Sequence, residues 1–443
     1  MSAWRSPLLL FGIAIILLAG GALVAPYFID WGNYRSDFEK YGREITGRET
    51  RVAGDISVRL FPWPRMTVRD VRVANPAGAK LPELFRADEI DIRLRLAPLL
   101  SGKLEVEAIN INRPVIGLER LASGQGSWKL EPTGNLTGVF GAEDVEVSAI
   151  SVTNGTIVLA DGQRGGEAQL DGFNAFITAR SLNGPWKLRG EAIVQDQGIS
   201  ISLNTGKWHE GQPLKFGIRL APLEGSGLTY SFDGQSSDGK RQEISGKLKI
   251  EPTVSRKGKS DAQENFRPVV FRSIVKADFD QIRFSKIEVA PKNAVDVRTF
   301  VTGEAVVKLG SILKIDANLK AARFDVDSVL GNKGRKTLRS MQSLDAVAGF
   351  VEGLPQNIHL HTVVDLTTLV LAGETLDGAS VDLDVVESRL KINSLTVALP
   401  GQTKAAFQGS LLVGSKGEKA KQPQLIGDLK LDMVSLKDFV KWA

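Results

Sequence analysis

Hydrophobic and polar residues alternate along most of this chain. In the segment "VAGDISVRLFPWPRMTVRDVRVANP", residues 52–76, two alternating runs flank Pro62-Trp63-Pro64. A proline donates no backbone hydrogen bond, so runs of period two on either side of this tripeptide indicate half-buried strands joined by a rigid connector. The same alternation recurs from Val52 to the end of the chain, which predicts a mainly β fold.

Two strands have a clear apolar face in the sequence. The run "DEIDIRLRLAPLL" places Ile90, Ile92, Leu94 and Leu96 on one face of a predicted strand, and "ISISLNTG" does so for Ile199, Ile201 and Leu203. A change of parity between Ala108 and Ile109 predicts a β-bulge. Asn154-Gly155, between apolar runs, predicts a hairpin turn.

The amino terminus has the composition of a membrane span. Residues 6–29 contain no charge, and about 20 apolar residues are enough to cross a hydrocarbon core. Arg5 precedes this segment and Asp30 follows it, which places residues 1–5 in the cytoplasm and the rest across the membrane. We expect the anchor to consist mainly of Leu8, Leu9, Leu10, Phe11, Ile13, Ile15, Ile16, Leu17 and Leu18. A signal peptide cleaved near Gly20-Gly21-Ala22 is the alternative, and it also exports the remainder.

A short amphipathic helix is predicted after this segment. Tyr34, Phe38, Tyr41 and Ile45 have helical spacing, with Asn33 as the expected N-cap and Gly47 beyond the end. Two interpretations are open. The helix plugs the first strands, or it also lies on the bilayer surface.

Charge and composition limit the partners. The 443 residues include 56 basic and 51 acidic side chains, for a net charge of +5, and no cysteine. The opposite charges are interleaved along the same strands, which is typical of a solvated sheet face and predicts no nucleic-acid partner. Without cysteine, disulfides and thiolate metal sites are excluded.

The sequence contains no recognisable catalytic motif. Nucleophile-elbow, P-loop, dinucleotide-binding and H-E-x-x-H patterns are absent, so we predict no enzyme, no catalytic residue and no cofactor. His359 and His361 have a spacing that could grip a metal, but no further ligand lies nearby in sequence, and two polar positions on a wet sheet face explain them better. We therefore predict no metal site. Tryptophans 63, 128 and 186 lie beside turns and are expected to anchor strand ends.

Several segments resemble the AsmA family. The resemblance is carried by "TGRETRVAGDISVRLFPWPRMTVRDVRVANP", "ADEIDIRLRLAPLLSGKLEVEAININRPVIGLER" and "GQGSWKL". Their matching positions are Thr46-Gly47-Arg48, Gly54, Pro62, Asn75-Pro76, Pro98–Gly102, Arg113-Pro114 and Gly124–Trp128. The later segments "ANLKAARFDVDSVLG" and "VALPGQTKAAFQGSLLVG" are similar to the family's distal modules.

The resemblance implies a Gram-negative inner-membrane protein with one span, a cytoplasmic amino terminus and a large periplasmic part that affects outer-membrane assembly and lipid balance. It also implies an elongated, curved antiparallel sheet built of repeated meander modules, with few short helices and an apolar groove. We expect a first β-rich region at 30–250, a linker or loop at 251–268 and a second module at 269–443. A match at an offset of 110 residues, between segments starting at 316 and 426, suggests that the second module is cut short at Ala443.

Two functions fit this pattern. In the first, the groove holds or conducts phospholipid or another envelope lipid between the membranes, and it is lined by the seven apolar residues of the two strands above. In the second, the sheets pack as closed sandwiches, and the protein is a scaffold or regulator that binds outer-membrane or periplasmic assembly proteins. The alternation is the same in both cases, so the sequence leaves both open.

Overall fold

The protein is mainly β, with 22 strands and few helices among the described residues. The computed structural model describes residues 28–100, 105–130, 147–179, 181, 183–209, 211–225, 227–237, 243–253, 269–291, 301–325, 349, 351, 353–355, 357–371, 374–387, 389–399, 402–412, 424–435 and 437. The chain divides into two compact units, Met1–Phe216 and Gly217–Ala443.

The first unit contains ten strands and two α-helices in its described part. The strands are β1 (Thr50–Val52), β2 (Ile56–Arg59), β3 (Arg65–Ala74), β4 (Glu83–Leu94), β5 (Val106–Asn112), β6 (Val115–Arg120), β7 (Val147–Asp161), β8 (Glu167–Ala179), β9 (Trp186–Val194) and β10 (Gln197–Thr205). The helices are α1 (Arg35–Thr46), preceded by a 3-10 turn at Trp31–Tyr34, and α2 (Leu96–Leu100). The next strand, β11 (Leu214–Pro222), includes the unit boundary.

The second unit contains eleven further strands among its described residues. They are β12 (Gly227–Ser236), β13 (Ile244–Thr253), β14 (Val269–Ala277), β15 (Gln281–Pro291), β16 (Val301–Lys308), β17 (Leu313–Asp325), β18 (Ile358–Leu371), β19 (Glu374–Val386), β20 (Arg389–Leu399), β21 (Thr403–Leu412) and β22 (Gln424–Asp432).

Strand pairing is mostly antiparallel, as the resemblance implied, but some neighbouring strands are parallel. In the first unit β1 and β2 pair with β3, and antiparallel pairing continues through β4 to β5 and β6. The strands β5 and β6 then pair with β7 in parallel, before β7 to β10 continue antiparallel. In the second unit β12 to β22 pair in chain order, with β17 and β18 parallel.

Two predicted irregularities are confirmed. Residues 60–64, including Pro62-Trp63-Pro64, connect β2 to β3, which pair as an antiparallel hairpin. In β5 the register shifts between the pairs Arg93–Ala108 and Leu94–Val106, so the extra residue lies beside the predicted change of parity.

The hairpin predicted at Asn154-Gly155 is wrong. Both residues lie inside the single strand β7, where Asn154 has φ 52° and the register with β8 shifts between Val152 and Gly155. A Cβ on Gly155 would lie 3.1 Å from Pro114 Cγ. The left-handed asparagine and the small glycine therefore form a bulge in one strand, where closely packed neighbours leave no room for a turn.

The predicted amphipathic helix exists, but its capping and orientation differ. Gly47, with φ 67°, ends α1 as expected, and its N–H bonds Arg43 O. Asn33 is not the N-cap. Instead Asp30 Oδ1 accepts a hydrogen bond from the Gly32 N–H at 3.0 Å and caps the 3-10 turn.

Helix α1 packs on β1 and β3 with a face other than the predicted one. Of the four predicted residues only Phe38 packs, together with Trp31, against the cluster of Val52, Ile56 and Val68. Tyr34, Tyr41 and Ile45 are exposed. Two polar contacts and one close approach fix this rotation. The Arg35 guanidinium donates to Gly54 O, Glu39 accepts from Val52 N, and Gly42 lies close against the Thr50 side chain.

The predicted membrane segment, 6–29, lies almost wholly outside the described residues, as do all nine predicted anchor residues. Within the described part of the chain, no helix has the length and apolar character needed to cross a membrane.

The best-buried cluster of the second unit lies over β19 to β21. Val385, Leu390 and Leu411 pack against Val351, whose neighbours Gly349 and Gly353 are also helical.

We expect Leu411→Ala to lower the free energy of unfolding by about 2–5 kcal/mol, because the leucine is 1% exposed and its loss leaves a cavity. The control is Leu425→Ala, at the position directly opposite on β22, where the side chain is 43% exposed. It should cost about 0.5 kcal/mol. Urea unfolding of both variants measures the difference, and equal losses would contradict this assignment of the core.

Candidate functional site

One face of the first unit's sheet is apolar across eight strands. Residues that lie directly opposite each other on paired strands share a face, so the register defines rows. One row runs through Val58, Met66, Ile92, Ile109, Ile150, Ile177, Leu188 and Leu203. The adjacent row runs through Ile56, Val68, Ile90, Ile111, Val152, Ala175, Gly190 and Ile201. We call these rows the apolar face of the first unit.

The structure places six of the seven predicted groove residues on this face. Ile90, Ile92 and Leu94 lie on β4, and Ile199, Ile201 and Leu203 lie on β10, all half-buried. The register links the two sets, because Ile92 and Leu203 belong to one row and Ile90 and Ile201 to the other.

Leu96 does not belong to this set, and its predicted place on the strand is wrong. Strand β4 ends at Leu94, and Leu96 begins the helix α2. Pro98 explains the change, because a proline within the first turn of a helix gives up no helical hydrogen bond but would interrupt a strand's ladder.

Part of this face is closely packed. Ile199 and Ile201 pack against a buried cluster of Val152, Phe173, Ala175 and Ala192. A Cβ on Gly190, in the same row as Ile201, would lie 2.5 Å from Asn174 O. The surface around β8 to β10 is therefore a local core as well as a face of the sheet.

The second unit has a longer apolar row that the sequence analysis did not single out. It crosses ten strands, β13 to β22, through Ile244, Ala277, Ile282, Val307, Ile315, Leu360, Val385, Leu390, Leu411 and Leu425. The signal was present as simple alternation in each strand, but only the register shows that the strands align. We call the face that carries this row the apolar face of the second unit.

The opposite face of the second unit is polar. One of its rows contains Thr302, Lys320, Asp365, Ser380 and Thr396. Ser380 Oγ donates to Asp365 Oδ1 at 2.7 Å. This polar row is typical of a face in contact with water, which leaves the other face to be covered by apolar groups.

The cover of the apolar face is uneven within the second unit. Val351 and Leu354 pack over β18 to β21. By contrast, among the residues that the structure describes, none of the three buried apolar clusters includes a residue of β12 to β17. Leu228, Tyr230 and Ile244 are exposed there, and Ile282, Val307 and Ile315 are half-buried, while Val275, Ile287 and Ala321 on the same face are buried. We call this part, the apolar face of β12 to β17, the open stripe.

The two histidines of β18 lie on the polar face, as their spacing predicts. His361 Nδ1 lies 2.9 Å from Asp384 Oδ1, and Asn393 Nδ2 donates to Asp384 Oδ2 at 2.7 Å and to Asp382 Oδ1 at 2.9 Å. The hydrogen bond from Asn393, followed by that from His361, holds the pKa of the Asp384 carboxyl below its ordinary value. Within the described ranges, no group of three or more His, Asp or Glu side chains is placed to hold a metal.

The comparisons with known proteins identify a family for the first part of the chain. Residues 1–191 match the model of the AsmA family, so this part belongs to that family, as its motifs predict. AsmA-family proteins are envelope proteins and are generally not enzymes. No curated protein and no solved structure matches the chain.

We expect Asn393→Ala to raise the pKa of Asp384 towards its ordinary value, because the largest stabilising hydrogen bond to the carboxylate is lost. A lowered pKa stabilises the fold above the unfolded value of about 3.9, and that contribution is lost as the pH falls through the folded pKa. The variant should therefore lose stability above about pH 4 relative to the parent and converge with it at lower pH. Carboxyl NMR titration and urea unfolding between pH 2 and 7 measure both effects. The control is Asn318→Ala, on the exposed side of β17, and an unchanged Asp384 titration in Asn393→Ala would contradict the assignment.

Proposed function

We propose that this chain holds or conducts phospholipid acyl chains on the apolar faces of its sheets, between the inner and outer membranes. Its amino-terminal segment anchors it in the inner membrane with the bulk of the chain in the periplasm. The lipid is its ligand, no catalysis is involved, and the result is support for outer-membrane assembly and lipid balance. Membership of residues 1–191 in the AsmA family supports this assignment to the envelope.

The observation that carries the proposal is the open stripe. A sheet with one apolar face is stable only when that face is covered, by a second layer or by another apolar surface. Acyl chains are such a surface, and they need no specific polar contact. At about 4.8 Å between strands, the six strands of the open stripe extend over about 24 Å, whereas one leaflet of a 30 Å hydrocarbon core spans about 15 Å. The stripe is therefore long enough for an extended acyl chain.

The chemistry of the stripe also fits an acyl chain. Its row from Ile244 to Ile315 contains aliphatic side chains without a polar atom. Phe271 and Phe284 lie on the same face, with ring centroids 6.3 Å apart. Most charged side chains of the same strands, such as Lys314 and Asp316 on β17, lie on the opposite face, where they keep the outside of the sheet in water, while Arg323 near the end of β17 has the parity of the apolar face.

The alternative is that a protein covers the stripe. The packing of α1 on β1 and β3, and of Val351 on β19 to β21, demonstrates that segments of this chain cover apolar strands in each unit. A periplasmic or outer-membrane assembly protein could cover the open stripe in the same way, and the protein would then act as a scaffold.

The variant that separates these functions is Leu319→Asp on β17. Leu319 is half-buried on the apolar face, opposite Gly303. If the stripe binds lipid, the carboxylate meets water whenever lipid is absent, so the thermal midpoint should stay near that of the parent while bound phospholipid is lost. If a packed layer of this chain's own residues covers it, an unpaired buried charge should cost on the order of 4 kcal/mol or more. If a separate assembly protein covers it, the midpoint should also stay near that of the parent, but the purified parent should carry no phospholipid.

The matched control is Asn318→Asp, the adjacent residue on the exposed polar face. It adds the same charge to the same strand and should change neither quantity. Thermal unfolding and mass spectrometry of extracted phospholipid per chain are measured for the purified full chain. A parent protein that purifies free of lipid would contradict the proposed function, and so would a collapsed midpoint in Leu319→Asp.

Ile201 is a less informative position for this test. Because it packs against the buried cluster of β7 to β9, a charge there should lower the midpoint whether or not lipid binds to the face.

A further inference from the structure

The connector between β2 and β3 exposes two aromatic side chains. Phe61 is 66% exposed and Trp63 is 61% exposed, so Trp63 does not anchor a strand end as the sequence analysis expected. Pro64 at the base of the connector is buried, and its carbonyl accepts a hydrogen bond from Leu94 N at 2.9 Å. This bond ties the connector to the end of β4, where the exposed Leu96 begins α2. Three large apolar side chains therefore lie in water at one end of the sheet.

A row of arginines lies on the polar face beside this connector. Arg59, Arg65 and Arg93 are directly opposite one another on β2, β3 and β4. Of the carboxylates in the described residues, Asp91 approaches the row, 3.8 Å from Arg65 Nη1. Like charges that face each other across strands destabilise a sheet, so a row with so little compensation is costly unless an anion is supplied from outside.

A second arginine row on the same sheet provides the comparison. Arg51, Arg72 and Arg86 are also directly opposite one another, on β1, β3 and β4. Three carboxylates accompany them, since Glu49 pairs with Arg51 at 2.7 Å, Asp70 with Arg72 at 2.8 Å, and Glu83 with Arg72 at 3.5 Å. The fold thus neutralises one row internally and leaves the row beside the connector with excess positive charge.

The position of this end of the sheet suggests where the anion comes from. The 3-10 turn at Trp31–Tyr34 contacts β2, and Trp31 packs with Ile56 and Val68. Immediately before that turn, Phe28 is 85% exposed, and it follows the apolar segment predicted to cross the membrane. The connector and the arginine row therefore lie on strands next to the 3-10 turn, which directly follows the expected membrane anchor.

We propose that residues 60–64 and the row of Arg59, Arg65 and Arg93 form a docking surface for an anionic phospholipid bilayer. Aromatic side chains favour the membrane–water interface, where their rings contact both headgroups and acyl chains. The guanidinium groups bind lipid phosphates with charge-assisted hydrogen bonds. Each basic residue near an anionic surface strengthens binding about fivefold, so three contribute about 100-fold. This docking does not depend on whether the apolar faces carry lipid.

The absence of cysteine from the chain allows a direct test. Phe61→Cys in the full chain is labelled with an environment-sensitive fluorophore and reconstituted into nanodiscs of phosphatidylcholine with or without about a third of phosphatidylglycerol. We expect a blue-shifted emission and strong quenching by a lipid-attached nitroxide in the anionic discs, and much weaker quenching in the neutral discs. The positional control is Gln212→Cys, which is exposed in the connection after β10, at the far end of the eight-strand row that begins at Val58. Its label should remain in water.

Charge variants test the arginine row. With the label at position 61, the combined change Arg59→Gln, Arg65→Gln and Arg93→Gln should reduce quenching in anionic discs to the level of neutral discs. Lys187→Gln, Arg189→Gln and Lys215→Gln remove the same charge from exposed positions of β9 and β11 and should leave quenching unchanged. Thermal unfolding confirms that each variant is folded. A label at position 61 that stays in water in anionic discs would overturn the proposal. This holds both if residues 60–64 have no partner and if their partner is a protein. Equal quenching at positions 61 and 212, or no effect of the three Arg→Gln changes, would overturn it as well.

Discussion

The whole structure depends on covering the apolar face of an extended sheet. Every strand of the rows described above contributes apolar side chains to one face and polar or charged ones to the other, so each unit gains stability only if something excludes water from one side. Backbone hydrogen bonds hold neighbouring strands in register, but they do not cover a face. The identity of the cover is therefore the question that links fold to function.

The chain covers part of this surface itself. In the first unit α1 lies on β1 and β3, held by the contacts of Arg35 and Glu39 with the backbone and by the close approach of Gly42 to Thr50. In the second unit Val351 and its neighbours cover β19 to β21. The open stripe is as apolar as these covered strands, but none of its residues belongs to a buried cluster of the described residues. This contrast between covered strands and open stripe supports a lipid ligand. A mobile apolar ligand requires a face of this kind, since a permanently packed layer would exclude it.

The sequence predicted the local features of this fold well and the long-range ones less well. Alternation fixed the faces of Ile90, Ile92 and Leu94 and of Ile199, Ile201 and Leu203, because in a strand the face depends only on parity. It could not give the register that joins β4 to β10 or aligns ten strands in the second unit, because register depends on partners distant in sequence. The failures have the same origin. Asn154-Gly155 forms a bulge because of its packing against Pro114 and β8, and α1 is rotated because of polar contacts to β1 and the segment after it, none of which can be read from a helical or turn pattern alone.

The charges of the first unit follow a related logic. Elsewhere in the first unit arginines are paired with carboxylates, as in Arg69 with Glu89 at 3.0 Å on the polar face and Arg113 with Asp88 at 2.7 Å. These exposed pairs contribute little stability each, but together they keep cross-strand repulsion low. The same face departs from this pairing at the end of β2, β3 and β4, where apolar side chains are also exposed. Repulsion among the arginines and exposure of aromatic surface are separate costs to the isolated fold, and one partner, an anionic bilayer surface, relieves both. A purely structural connector would need neither feature, because shorter polar residues would join β2 to β3 with less exposed apolar surface.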